Sequence, residues 1–456
     1  MTDATTGLAL RGTFMHAPRR GEIAIMEDAV VSVDARGTID AVHHPGEAGH
    51  AAAVTDARRR GALHELRDGQ YVLPGLVDLH VHAPQWPQLG KALHLPLHEW
   101  LLQCTFPLEA KYADRAFAER VYASLVDTLL ANGTTTAVYF ATVHVESTMR
   151  LADICLARGQ RALVGKVAMD DTGQCPDYYR DASAAAGIDG TRDLIAYVRA
   201  MPGNEDGIVR PVITPRFIPS CTDRLLEGLG DLAAETACHV QTHCSEGDWE
   251  HAFVLDRLGR TDTRGLSDFG LLRPNTILAH SNFITGEDME LIGRTRAGIA
   301  HCPLANLYFS NAVFPLRAAL DKGLQIGLGT DISGGASPSI LDNCRHAITA
   351  SRALEDGVDP ALDAARRGRP ASRIDFRTAL WLATAGGADA LGLPVGRFEP
   401  GCDFDAMLVD TRRTESNLIV WGDADGHEDV LQKIIYNAGR DDIRKVWVRG
   451  RVVNEK

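Results

Sequence analysis

Apolar runs of strand length alternate with helical stretches through most of the chain. Eight such runs can be read: LPGLVDLHVH, TTTAVYF, ALVGKVAM, VRPVITPRF, CHVQTH, TILAH, AGIAH and LQIGLGTD. Between them lie segments of helical period, such as DRAFAERVYASLVDTLLANG, which closes on Gly133 as a helix C-terminus does. Strand and helix in alternation predict parallel β/α units, and eight units predict an α/β fold of the (β/α)8 TIM-barrel type. The two ends of the chain read differently. LALRGTFMHA, GEIAIMEDAVVSVDARGTIDAV and QYVLPG near the start, and FDAMLVD and IRKVWVRGRVV near the end, alternate apolar and polar positions between glycines. They read as short strands joined by turns. Neither end has strands enough for a stable sheet, so both are expected to pair into one small β-sandwich domain. The expected organisation is residues 1–73 as the N-terminal part of the sandwich, 74–394 as the barrel and 395–456 as the C-terminal part of the sandwich. DGVDPALDAARRGRPASRID reads as the most loop-like interior stretch.

Composition narrows the class without naming it. The 456 residues are 45% hydrophobic and 23% charged, an ordinary globular mixture. The net charge of -13 argues against a nucleic-acid surface, since phosphate binding needs clustered Lys and Arg. The one short basic run, Arg58-Arg59-Arg60, reads as a solvated loop or strand edge. The opening MTDATTGLALRGTF lacks the basic start and apolar core of a signal peptide, and no stretch approaches the ~18 apolar residues of a membrane span. The nine cysteines contain no C-x-x-C pair and are irregularly spaced, so they read as reduced core thiols of a cytoplasmic protein.

The candidate chemistry sits at the ends of the predicted strands. His80 and His82 close the first one. Residues i and i+2 of a strand share a face, so both imidazoles can reach one ion. With 17 histidines in the chain, roughly one H-x-H is expected by chance. Context decides: His243 ends the fifth run, His280 the sixth, and Asp331 the eighth. Imidazole and carboxylate are standard ligands for Zn2+, and a catalytic site leaves a position open for water. Taken singly, each residue has a plainer reading, as a packed histidine or as a turn aspartate after Gly329-Thr330. Together they predict one site at the mouth of the barrel. Glu246, in THCSE, reads equally as a proton carrier over that site or as an acid at a helix N-terminus. The fourth strand carries Arg216 and no lysine, the residue that often bridges two metals in barrel hydrolases, which predicts a single ion. Lys166 on the third strand reads as structural. His144-Val145-Glu146 has the H-x-E of the cytidine-deaminase zinc site but no P-C-x-x-C follows, so it reads as coincidence.

The run PGLVDLHVHAPQ resembles the metal signature of the amidohydrolase superfamily and, more narrowly, that of the guanine deaminases. The similarity continues through LPLHEWLLQCTFPLE, NGTTTAVYFATVH, GQRALVGKVAMD, VITPRFIPSC, QTHCSE, LAHSNF, IAHCPLANLYFS, IGLGTDISGG, PGCDFDAMLVD and VWVRGRVV, nearly the whole chain. Departures are His98, Ser281, Leu304 and Ala305. The resemblance implies one Zn2+ per subunit, surrounded by His80, His82, His243, His280 and Asp331, with His280 holding either the ion or the attacking water. It implies Glu246, Asp331 and His280 as catalytic residues. Gln85, Arg216 and Phe217 would contact the substrate, together with the inner faces of His82, His243 and Asp331. Phe217 reads equally as core. LPLHEWLLQCTF is the candidate wall or lid. The implied reaction is hydrolysis of guanine to xanthine and ammonia by a cytoplasmic homodimer that binds neither nucleic acid nor membrane. Alternatives are a relative acting on 8-oxoguanine, a pterin or a triazine, and a non-catalytic barrel used as a scaffold.

Overall fold

The computed structural model describes residues 7–310 and 312–456. The polar opening MTDATT lies outside the described residues. Five strands come first: β1 (Leu8–His16), β2 (Ala24–Val33), β3 (Ile39–His43), β4 (Leu63–Glu65) and β5 (Gln70–Pro74). The barrel follows: β6 (Leu76–His82), β7 (Thr134–Phe140), β8 (Arg161–Gly165), β9 (Val167–Ala168), β10 (Val209–Pro215), β11 (His239–Cys244), β12 (Thr276–His280), β13 (Gly298–His301) and β14 (Gln325–Leu328). The C-terminal part adds β15 (Ala406–Asp410), β16 (Ile443–Val448) and β17 (Arg451–Glu455).

The barrel strands are hydrogen-bonded in parallel in the order β6-β7-β8-β10-β11-β12-β13-β14, with the short β9 beside β10. They match the eight apolar runs one for one. Every residue of β6 and β7 is buried, as expected of parallel strands covered on both faces. Helices on the outside have their own local reasons. Asp114 caps Arg115–Ala131 by accepting from the Ala116 and Phe117 amides, and Gly133 supplies the left-handed turn beyond its end.

The barrel closes where its first strand meets the chain after its last. The Asp331 amide donates to the His80 carbonyl (2.8 Å), and the His82 amide donates to the Ile332 carbonyl (3.0 Å). Asp78 holds the same seam from below, accepting from the Thr330 amide at 2.9 Å and from its hydroxyl. Gly329 permits the approach, since a β-carbon there would lie 2.8 Å from His80 Cβ and 2.9 Å from Cys302 Sγ.

The two chain ends share a sheet of order β17-β16-β15-β5-β1-β2-β3, with β4 against β1. Leu10, Phe14 and Val31 from the start pack with Phe404, Leu408 and Trp447 from the end in one apolar cluster, the core of the β-sandwich. Arg161 on β8 ties this unit to the barrel by buried ion pairs with Asp403 and Asp405. Each end also holds a helix that the strand-and-turn reading missed. Ala48–Arg59 carries Arg58 and Arg59 in its last turn, and Arg59 and Arg60 pair back to Asp56, so the basic run is a helix end rather than a loop or strand edge. His427–Asn437 packs on the helix Ile340–Asp356, burying Val430, Leu431, Ile434 and Ile435. Its apolar spacing was masked by the loop-like charged stretch before it. DGVDPALDAARRGRPASRID is largely irregular, with one helical turn at Ala364–Arg367.

His16 gives this junction a pH dependence. Its Nδ1 accepts from the Phe398 amide (3.2 Å), which requires a neutral ring, and burial, helped by Arg397, pushes its pKa down to about 4. The unfolded chain titrates this group near ~6.5 and so binds more protons between the two values. Stability is therefore expected to fall as pH drops from ~6.5 toward 4, by up to about 3 kcal/mol from this group. Urea midpoints at pH 7 and pH 4.5 would check it, His16→Gln showing a smaller acid loss than the unmodified chain.

Candidate active site

The closed seam brings the strand-end residues together. His80 and His82 project from the C-terminal end of β6 with ring centroids 4.8 Å apart. His243, near the end of β11, places Nε2 at 3.0 Å from His82 Nε2. Asp331 Oδ1 lies 3.2 Å from His80 Nε2 and 3.6 Å from His82 Nε2. His280, the last residue of β12, places Nε2 at 3.9 Å from Asp331 Oδ2 and 3.8 Å from Glu246 Oε1. All five predicted ligand residues and Glu246 thus converge, and all are buried. Two of the candidate ligands and the residue before Glu246 hold left-handed backbone without being glycine: His280, Asp331 and Ser245 have φ of 68°, 49° and 47°. Such conformations cost about 1–3 kcal/mol each and persist only where the surroundings impose them. Ser281, φ 57°, extends the same turn in a conformation that glycine adopts more readily than serine.

The electrostatics suit a cation. Burial pushes His80, His82 and His243 well below the usual imidazole range, and their neighbours push them further. Burial also lowers His280, against the pull of Asp331 and Asn306. Four neutral imidazoles result, the form that binds metal. Second partners orient two of them. The Arg216 carbonyl accepts from His243 Nδ1 at 2.6 Å, and Asn306 Oδ1 accepts from His280 Nδ1 at 2.8 Å, which turns both Nε2 lone pairs inward. His80 Nε2 and His280 Nε2 then have no hydrogen-bond partner. A buried unpaired acceptor costs ~1–3 kcal/mol, and here two lie in the same cluster. His80, His82 and His243 form one candidate ligand group and His80, His280 and Asp331 another, the donor atoms within each lying within 4.8 Å of one another. The residues fit a divalent metal ion. Burial raises Asp331 to about 6 against the attraction of His280 and Arg216, and it pushes Glu246 well up, with Asp331 adding to the rise.

Beside this cluster a pocket opens. Its lining includes His82, Gln85, Arg216, Phe217, His243, Glu246 and Asp331. Leu97, Trp100 and Leu101 of LPLHEWLLQCTF form a wall, as that segment was expected to. Phe217 both lines the pocket and packs, its ring 6.0 Å from His243 and 5.9 Å from Trp249, so its two readings coexist. His98 stands outside the lining, 6.5 Å from Trp249. Lys166 is buried against Asp181, in keeping with a structural role. His144 and Glu146 sit at the start of the helix Val145–Arg158 and belong to no candidate metal group among the described residues.

Sequence reasoning missed three contributors. Phe309 completes the wall opposite Trp100, with centroids 4.9 Å apart, but an aromatic in NLYFS carries no mark of a pocket. Asn306 bonds His280 and, through Asn282, reaches the Glu246 carbonyl. Glu109 is fully buried beneath Arg216 and Gln85. Its only sequence signal was a lone acid in the apolar run TFPLEA.

This is the architecture of a metal-dependent barrel hydrolase, and the chain belongs to the amidohydrolase family, whose sequence profile matches residues 71–453. Within that family the similarity is to guanine deaminases. The chain is 36% identical to a probable guanine deaminase of Schizosaccharomyces pombe, over 97% of its own length and 82% of the relative's. It is 34% identical to the guanine deaminase of Homo sapiens, over 97% of this chain and 96% of that one. The crystal structure of a guanine deaminase from C. acetobutylicum with guanine bound in its active site superposes with a TM-score of 0.87 at 30% identity, covering 98% of this chain and 99% of that one. No helix among the described residues is long and apolar enough to cross a membrane.

Proposed function

We propose that this chain is a zinc-dependent guanine deaminase, hydrolysing guanine to xanthine and ammonia in the pocket between the histidine cluster and Arg216. The observation that carries this reading is one pocket lined both by the proposed ligands His82, His243 and Asp331 and by the polar side chains of Gln85 and Arg216. Gln85 and Arg216 face it together with Glu246 and Asp331. The guanidinium of Arg216 is a donor fork suited to a carbonyl oxygen or ring nitrogen, and Gln85 both donates and accepts. His80, His82, His243, His280 and Asp331 would hold Zn2+. The ligand chemistry, imidazole nitrogens with one carboxylate, favours zinc over magnesium or calcium. One ion per chain follows from the absence of a bridging lysine on β10. When bound, the ion supplies a Lewis acid that makes water nucleophilic at neutral pH.

The chain's own residues move the protons. Asp331 accepts one from the attacking water and orients its oxygen toward C2. Glu246 gives a proton to ring nitrogen N3 as C2 becomes tetrahedral. The remaining proton of the added oxygen passes through the same carboxylates to the exocyclic amine. The C2–N bond then breaks, ammonia leaves, and the oxygen stays as the C2 carbonyl of xanthine. A raised pKa suits Glu246 to this work, since its acid form persists nearer neutral pH than an ordinary carboxylate's. His280, 3.8 Å from Glu246, is placed either to ligate or to hold the water.

All nine cysteines are unpaired and seven are buried, which supports a reducing compartment such as the cytoplasm. The family resemblance supports a homodimer. The test is ammonia release from guanine, 8-oxoguanine, a pterin, a triazine, adenine and guanosine, with metal content measured on the same sample. Guanine is expected to lead by at least ~10-fold in kcat/KM, because a purine edge unmatched to Arg216 and Gln85 leaves buried groups unpaired. A panel led by another ring would replace guanine, and no turnover of any would leave a scaffold.

A further inference from the structure

Glu109 is fully buried and touches both polar residues of the pocket wall without lining the pocket. Arg216 Nη1 donates to its Oε2 at 2.7 Å, and Nη2 donates to its Oε1 at 3.3 Å. Gln85 Nε2 donates to the same Oε1 at 3.0 Å, and Gln85 Oε1 accepts from the Ser333 amide at 3.1 Å. An amide side chain can flip end for end, exchanging its donor for its acceptor. Here it cannot do so freely. A carboxylate paired with a guanidinium only accepts and a backbone N–H only donates, so reversal breaks both bonds and opposes like groups at both ends. The guanidinium is held by two nitrogens, which fixes its plane, and its face also rests 5.1 Å from the Phe106 ring centroid.

We infer that Glu109 is a positioning residue that sets substrate selectivity: its carboxylate holds the Arg216 fork and the Gln85 amide in one orientation, so that the wall presents a fixed donor pattern selecting purines with an oxygen at C6. The inference rests on the guanine reading of the site. C6 is separated from C2, where the chemistry occurs, by N1, and its oxygen takes no part in the bonds made or broken. Energy from contacts at that edge is shared by bound substrate and transition state, so its loss raises KM more than it lowers kcat.

The test compares the intact holoenzyme with Glu109→Gln. Two inert purines serve as competitive inhibitors: hypoxanthine, which carries the C6 oxygen, and unsubstituted purine, which lacks it. In the unmodified enzyme hypoxanthine should bind at least ~10-fold tighter, the worth of a hydrogen bond to a charged group. In Glu109→Gln that ratio should fall to within ~3-fold of unity, with KM for guanine raised ~10-fold or more and zinc content retained. Removing the carboxylate leaves Arg216 buried without its counter-ion, so this variant can fail to fold. Glu109→Asp then carries the test. It keeps the charge but withdraws it by one methylene, and the inhibitor ratio should fall by at least ~3-fold at unchanged zinc content. An unchanged ratio in a folded variant, or equal weakening of both inhibitors, overturns the inference, since a merely structural loss would not distinguish the two purines. If the unmodified enzyme releases no ammonia from guanine, the reading of the site has failed. If it does and the ratio persists in the variants, only the role of Glu109 has.

Discussion

Glu246→Gln is expected to keep its metal and to lose about 100- to 10,000-fold in kcat, the usual worth of a general acid–base group. The substitution is isosteric and removes only the capacity to give and take a proton. The surroundings tolerate it. The Glu246 amide donates to Glu250 Oε2 at 2.6 Å and its carbonyl accepts from Asn282 at 2.8 Å, so the backbone is held independently of the carboxyl group. The side chain faces the pocket within 3.8 Å of His280 Nε2. Burial and the nearby Asp331 both raise its pKa, so replacing it with a neutral amide also relieves repulsion between two carboxylates. The folded state should be no less stable for the change. Steady-state rates, zinc analysis and a thermal melt on one preparation check all three statements. Turnover within a few-fold of the unmodified enzyme would remove Glu246 from the mechanism.

His82→Ala is expected to lose both the metal and the activity, by at least ~1,000-fold, since a Lewis acid at such a centre contributes several kcal/mol to the barrier. His82 stands in the middle of the cluster, 3.0 Å from His243 Nε2 and 3.6 Å from Asp331 Oδ1. Its removal leaves a gap among neutral imidazoles that no other described side chain is placed to fill. Chelation of the unmodified protein should reproduce the loss, and added Zn2+ should reverse it there but not in the variant. Elemental analysis reads the outcome directly, and a full equivalent of tightly held zinc in His82→Ala would contradict the proposed ligand set.

Several of these residues were legible before any fold was known. The five candidate ligands stood out because each ended an apolar run, and a parallel barrel gathers the C-terminal ends of its strands. Periodicity is local, so eight alternating runs sufficed to place β6 through β14. The terminal helices Ala48–Arg59 and His427–Asn437 escaped because their surroundings are glycine-rich or charged, which dilutes the helical period over a short window. Gln85, Arg216 and Phe217 carried chemical types suited to a purine, yet nothing in their spacing told whether they shared a pocket. They do, and Phe217 also packs.

Residue order alone therefore carried the strand–helix alternation, the pairing of the two chain ends and the chemical identity of the metal cluster, because each depends on local period or on residue type. The orientation of that chemistry came only with the folded chain. Asp331 reaches His80 through a seam between the first and last barrel strands, and backbone bonds across it set the distance. His280 owes its inward lone pair to Asn306, and Arg216 and Gln85 owe their common orientation to Glu109, partners dozens to more than a hundred residues away. Hydrogen bonds are directional and short-ranged, so such partnerships exist only once packing has brought the groups within about 3 Å of one another.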